Sequence, residues 1–226
     1  MNARVLITVL LLATAGAAVP STNAQIVRPR EVNTQFHRAK TAWESGTSIL
    51  EAKARIDRVL TVMPDDAEAR ILRAEILMGM NRPDSALVDA RRAAELTPSS
   101  GIAHLVHCEA ASRAGRSDEA ARAMRRSADQ IMLDVAAYVR LSRCAESLEH
   151  MPEAESYARL ALAQDALNPS GHVQLARVFM AAGDSDMAIT TLVRGIESGA
   201  IRPAIIRQDS VLTELANEPR ILQASR

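Results

Sequence analysis

ALVDARRAAELTPSSGIAHLVHCEAASRAGRSDEA, residues 86–120, carries one full period of the pattern that organises this chain. It runs from Ala86 to Ala120, and Ala52, Ala154 and Ala188 continue the same spacing in both directions. Other columns keep step with them. Ala74, Cys108, Ser142 and Ala176 are all small, as are Ala93, Ser127, Ala161 and Gly195, which Val59 precedes as a larger first member. Trp43, Leu77, Ala111, Ala145 and Phe179 form another column, and Ile56, Ala90, Met124, Ala158 and Leu192 a fifth. Two antiparallel helices approach closely only where small residues face each other, with larger apolar side chains filling the flanks. The repeat therefore predicts stacked helical hairpins.

Punctuation within the quoted stretch agrees. Pro98-Ser99-Ser100 ends one hairpin and caps the next, as Pro64-Asp65-Asp66 and Asn168-Pro169-Ser170 do elsewhere. Gly115, with Gly46 and Gly183, stands where a first helix should end in the left-handed conformation. Asp84, Asp118 and Asp186 open second helices, where acidic groups favour the helix N-terminus. Ser117 and Ser185 precede two of these, and Pro83 and Pro152 fit as first-turn prolines.

Composition points the same way. Aromatic residues make up 2% of the chain against 48% hydrophobic residues overall, a core of small and aliphatic side chains that suits helices and poorly suits a β-sandwich. Formal charge is balanced, 27 basic against 27 acidic, and only Lys40 and Lys53 are lysine. Without a basic excess there is no electrostatic warrant for a nucleic-acid or anionic-membrane binder. Residues 1–24 read as a secretory signal: Arg4, an apolar stretch from Val5 to Ala18, then Pro20 and the small-residue site ending at Ala24. Residues 25–32 follow as a short linker, and no membrane insertion is expected after signal cleavage.

Period, small-residue columns and the inter-unit prolines Pro64 and Pro98 resemble the tetratricopeptide repeat over roughly residues 33–200. The resemblance implies an all-α, right-handed superhelical solenoid of about five antiparallel hairpins, near 33–66, 67–100, 101–134, 135–168 and 169–200. Residues 201–226, with Leu212, Leu215 and Leu222, resemble the closing helical cap of bacterial repeat proteins. Such a cap covers a stacking surface that the last hairpin would otherwise expose. Two units depart from the pattern. The first has Lys40 where the others are small; the third ends in Ile131-Met132-Leu133 without proline, and its second helix carries Arg122, Arg125 and Arg126.

By that resemblance the first helices line a concave groove, with Ile71, Leu105, Val139 and Val173 pointing into it and His37 in the matching place of the first unit. One turn on lie Thr41, Glu75, Glu109, Arg143 and Arg177, a row that changes from acidic to basic along the solenoid. The expected ligand is a protein or peptide segment of complementary charge. The competing reading has the apolar column packing between helices and the charges merely solvated. Self-association of an envelope structural protein through exposed end units, giving a homo-oligomer, is the alternative function.

Candidate chemistry is sparse. His104, His107 and Cys108 share a helix face with metal-ligand side chains, but they occupy the repeat's packing positions and no fourth ligand follows from spacing. A metal-dependent enzyme is accordingly the distant alternative. Cys108 and Cys144, the only cysteines, fall on first helices of adjacent units and read equally as a disulfide or as buried thiols. His150 reads as a turn residue and His172 as a packing residue. The chain has no phosphate-binding glycine loop, G-x-S-x-G, H-E-x-x-H or paired C-x-x-C. No catalytic activity, metal or cofactor is expected.

Overall fold

Ten of the helices pair into five hairpins: α1 (Arg30–Glu44) with α2 (Ile49–Val62), α3 (Ala67–Gly79) with α4 (Pro83–Leu96), α5 (Gly101–Arg113) with α6 (Ser117–Ala128), α7 (Val135–Ser147) with α8 (Met151–Gln164), and α9 (Pro169–Ala181) with α10 (Ser185–Glu197). These come from a computed structural model, which describes residues 27–130 and 133–225. The signal-like segment 1–24, together with Ile131 and Met132, lies outside the described residues. Among the described residues the secondary structure is entirely helical, and no helix is long and apolar enough to cross a membrane.

The alanine column forms the seam of every hairpin. Ala52, Ala86, Ala120, Ala154 and Ala188 are completely buried, as are Ala74, Cys108, Ser142 and Ala176 opposite them. Two of the buried hydroxyls find backbone acceptors across the seam: Ser142 donates to Ala154 O at 2.7 Å, and Ser127 to Gly101 O at 2.8 Å. Polar groups in a dry seam need such partners, which explains how serine substitutes for alanine there.

Four first helices start at in-phase caps. Asp66, Ser100, Asp134 and Asn168 accept from the backbone N–H three residues on, at 3.1, 3.2, 2.7 and 2.9 Å. A second in-phase device closes the turn behind three of them. Arg70 donates to Pro64 O at 2.7 Å, and the ring nitrogens of His104 and His172 meet Pro98 O and Ala166 O at 2.9 Å each. His172 and His104 thus have one structural job, and His150 is the N-cap residue of α8.

Loops between paired helices are three residues long in the last four hairpins, each with one positive-φ residue: Asn81, Gly115, Glu149 and Gly183. The first loop, Ser45-Gly46-Thr47-Ser48, has four. Gly46 takes the positive-φ place, so the added residue lies between it and α2, which Ser48 caps. The insertion shifts α1 by one residue against the period. Ala39, not Lys40, is the small buried residue of α1, and Lys40 is exposed.

After α10 come α11 (Pro203–Gln208), a 3₁₀ turn (Leu212–Leu215) and α12 (Pro219–Ala224). Ile201, Ile206, Leu212 and Ile221 are buried against the last hairpin, whereas Leu222 is exposed. Arg177 to Asp209 (3.2 Å) and Arg220 to Thr190 (2.8 Å) tie the cap down at its rim.

Candidate binding groove

First helices of successive hairpins touch along the stack, α1 with α3, α3 with α5, α5 with α7 and α7 with α9, while second helices of successive hairpins meet more weakly. The stack therefore curves with first helices on the inside. A hollow of about 680 Å³ opens on that side, between α1, α3 and the starts of α5 and α7. Its apolar floor is Phe36, Trp43, Ile71 and Leu72; its walls carry Glu44, Glu68, Glu75 and Asp134 against Lys40 and Arg140. Two of the five aromatic side chains in the protein stand here, including the sole tryptophan.

The anticipated groove residues divide. Ile71 and Glu75 line the hollow. Leu105 is fully buried and Val139 nearly so, because the neighbouring first helices close over them; they pack rather than face a ligand. Val173 is half-buried. His37 and Thr41 are exposed but do not line the hollow; Phe36 and Lys40 stand in their place. The cause is the extra residue of the first loop, which displaces α1 by one position from the 34-residue count.

The expected acidic-to-basic gradient is largely neutralised from within. Arg140, on α7, reaches back across α5 to α3: it donates to Glu109 at 2.8 and 2.6 Å and to Glu75 at 2.8 Å. Burial pulls the Arg140 guanidinium down, but the two glutamates outweigh it and hold the group above its ordinary range. Burial pushes the Glu75 carboxyl above the ordinary carboxylate range, and Arg140 recovers only part of that shift. Further along, Arg177 lies between Glu146 (3.3 Å) and Asp209 (3.2 Å). Gln174, fully buried, donates to Glu146 at 2.6 Å and accepts from Arg143 at 3.3 Å.

Arg140 and Gln174 were missed because they belong to a column that is Leu72 and Val106 in earlier units. A polar residue entering an otherwise apolar column was the available signal. Arg28 lies in the segment 25–32 expected as a linker, yet its side chain is buried, bonded to Asp66 (2.8 Å) and Glu68 (2.8 Å) and stacked 3.8 Å above the Phe36 ring.

Cys108 and Cys144 form a disulfide between α5 and α7, with Cα atoms 6.6 Å apart. It lies between the Glu109–Arg140 pair and a Ser112–Ser147 hydrogen bond of 2.8 Å, so these two first helices are linked at three successive levels. His104, His107 and Cys108 do not converge. His104 is committed to Pro98 O, Cys108 to Cys144, and His107 Nε2 to Glu119 Oε1 at 2.6 Å. Among the described residues no group of three His, Cys, Asp or Glu is placed to hold a metal ion.

Residues 105–169 match the sequence profile of the tetratricopeptide repeat. That segment is made of tetratricopeptide repeats. Solved structures agree in fold. PilW, titled a widely conserved type IV pilus biogenesis factor, superposes with a TM-score of 0.69 at 20% identity, covering 87% of this chain and 91% of its own. A thermophilic tetratricopeptide-repeat protein of Thermus thermophilus gives 0.64 at 17% identity, with 85% and 98% covered. PilF of Pseudomonas aeruginosa gives 0.63 at 13% identity, with 85% and 88% covered. A sequence search of curated proteins finds no match. The tetratricopeptide-repeat solenoid is a scaffold fold of the kind used for protein interaction.

Proposed function

We propose that this protein is an exported, non-enzymatic adaptor that holds a segment of another protein in the hollow between α1 and α3. The observation that carries the reading is the apolar floor on the inner face of the curve, where Trp43 and Ile71 are partly exposed beside buried Phe36 and Leu72, edged by more carboxylates than cations. Aromatic anchors in a concave site supply most of the binding energy in such interfaces. The residual negative charge favours a segment that brings a basic residue beside its apolar ones. The wall charges of the hollow are themselves paired, Glu44 with Lys40, Glu68 with Arg28 and Glu75 with Arg140, so its apolar floor is the part with free capacity.

Export is supported by the signal-like residues 1–24 and by the Cys108–Cys144 bridge, since disulfides persist mainly in oxidising compartments. The fold shared with PilW and PilF is compatible with an envelope setting. The test is selection of peptides from a displayed library on the purified protein, followed by calorimetry. Ile71→Asp and Glu75→Lys should each weaken the selected peptides roughly tenfold or more, the loss of one buried anchor or one charged contact. Selected peptides that bind both variants as tightly as wild type would refute the site.

A further inference from the structure

The arginines that set α6 apart in the sequence have no role in the inner groove. Arg122 and Arg126 are exposed, one helical turn apart, and neither has an ion-pair partner among the described residues. Two of the nearby carboxylates are already occupied, whereas Asp118, one turn before Arg122, makes no ion pair with it among the described residues. Glu119 accepts both branches of Arg91, at 3.0 and 2.9 Å, and His107 at 2.6 Å; Glu95 receives Arg92 at 3.2 Å. Burial raises the Glu119 carboxyl, but His107 and Arg91 outweigh it and keep the group ionised and occupied. Like charges four apart on a helix repel, so this pair is unfavourable unless an anion lies between them.

Two hollows share Arg122 and Glu119: one of about 240 Å³ lies between α4, α5 and α6, and one of about 440 Å³ lies over the α5–α6 turn and the start of α6, so together they make one trough along α6. Ala94 and Ala123 leave its floor shallow, and Arg91, Arg116, Arg122 and Arg126 stand along it, with Asp118 at the mouth beside the α6 N-terminus. We propose that this trough is a second docking surface, which takes an extended acidic segment of a partner protein with carboxylates at alternate residues. Four residues of helix advance about 6 Å, and alternate side chains of an extended chain lie about 6.6 Å apart, so Arg122 and Arg126 match successive carboxylates on one face. The guanidinium fork accepts each in bidentate fashion. The surface lies on the outer layer and does not depend on the inner groove.

The probe is a short fluorescent peptide alternating Glu and Ser, titrated at low and moderate salt, with a Gln-Ser peptide and inorganic phosphate as comparators. Saturable binding of the Glu-Ser peptide is expected, weakened roughly tenfold or more in Arg122→Gln/Arg126→Gln. Arg194→Gln, at an exposed arginine of α10, should leave it unchanged, and Trp43 emission should not move. All three arginines are exposed and outside any ion pair among the described residues, so circular dichroism of both variants should match wild type. The proposal is overturned if the double variant binds like wild type, if Arg194→Gln weakens binding as much, or if the Gln-Ser peptide binds equally. Phosphate that binds more tightly than the peptide would also overturn it, marking a small-anion pocket instead.

Discussion

Arg140 carries more of the groove's electrostatics than any other side chain. It is the partner that allows Glu75 and Glu109 to lie half-buried next to each other. Arg140→Ala should therefore cost about 3 kcal/mol at neutral pH, the usual consequence of stranding a buried charge. The Glu75 carboxyl, already raised by burial, should titrate higher still, which carbon-detected NMR can follow. A raised carboxyl favours the folded state only while protonated, so the benefit is lost as pH rises through the folded-state value. The deficit of Arg140→Ala should accordingly shrink on acidification toward the ordinary carboxylate range. His107 gives the opposite case. Burial holds its imidazole below the ordinary range, so its contribution is present above that range and lost as pH falls through it. Wild type should lose stability on acidification below about pH 6.5, and His107→Gln should flatten that part of the profile. Asp66 does two jobs, capping α3 and receiving Arg28. Asp66→Ala should cost about 3 kcal/mol by breaking a buried pair, against about 1 kcal/mol for Asp134→Ala, which loses a cap alone.

Helices and their order were legible from the small-residue columns, because a close seam tolerates few residue types and so repeats visibly. Ala52, Ala86, Ala120, Ala154 and Ala188 are buried where the period put them. The caps were partly legible: Asp66, Ser100 and Asn168 stood beside prolines, whereas Asp134 followed a stretch without one. Groove residues were less legible. A single added residue in the loop after Gly46 leaves α2 in phase but moves α1, so counting by 34 named His37 and Thr41 where Phe36 and Lys40 belong. Leu105 and Val139 share the phase of Ile71 but sit between tightly stacked neighbours; phase fixes the direction of a side chain, not what covers it. At this scale the α5–α7 bridge is the strongest link. Closing a loop with a sequence separation of 36 corresponds to about 4 kcal/mol in the chain-entropy model. Thiol counting on the denatured, unreduced protein should find no free cysteine, and Cys108→Ser/Cys144→Ser should unfold at correspondingly lower denaturant.

As a whole the protein is a curved stack with an acidic, aromatic-floored hollow inside near one end and unpaired arginines outside near its middle. A solenoid carries no single active centre, and its function depends on which stretch of surface is left unpaired. Much of the inner charge is spent internally, on Arg140 with its two glutamates and on Arg177 between Glu146 and Asp209. On the proposed reading, the apolar floor of the α1–α3 hollow is then the place for a ligand. Trp43 is the sole tryptophan and lines it, so its emission reads occupancy directly. Titration of a library-selected peptide into wild type should shift Trp43 emission with saturation, at the dissociation constant found by calorimetry, and Ile71→Asp should abolish the shift at the same peptide concentration. Calorimetric binding that leaves Trp43 emission unchanged would contradict the placement of the partner in this hollow.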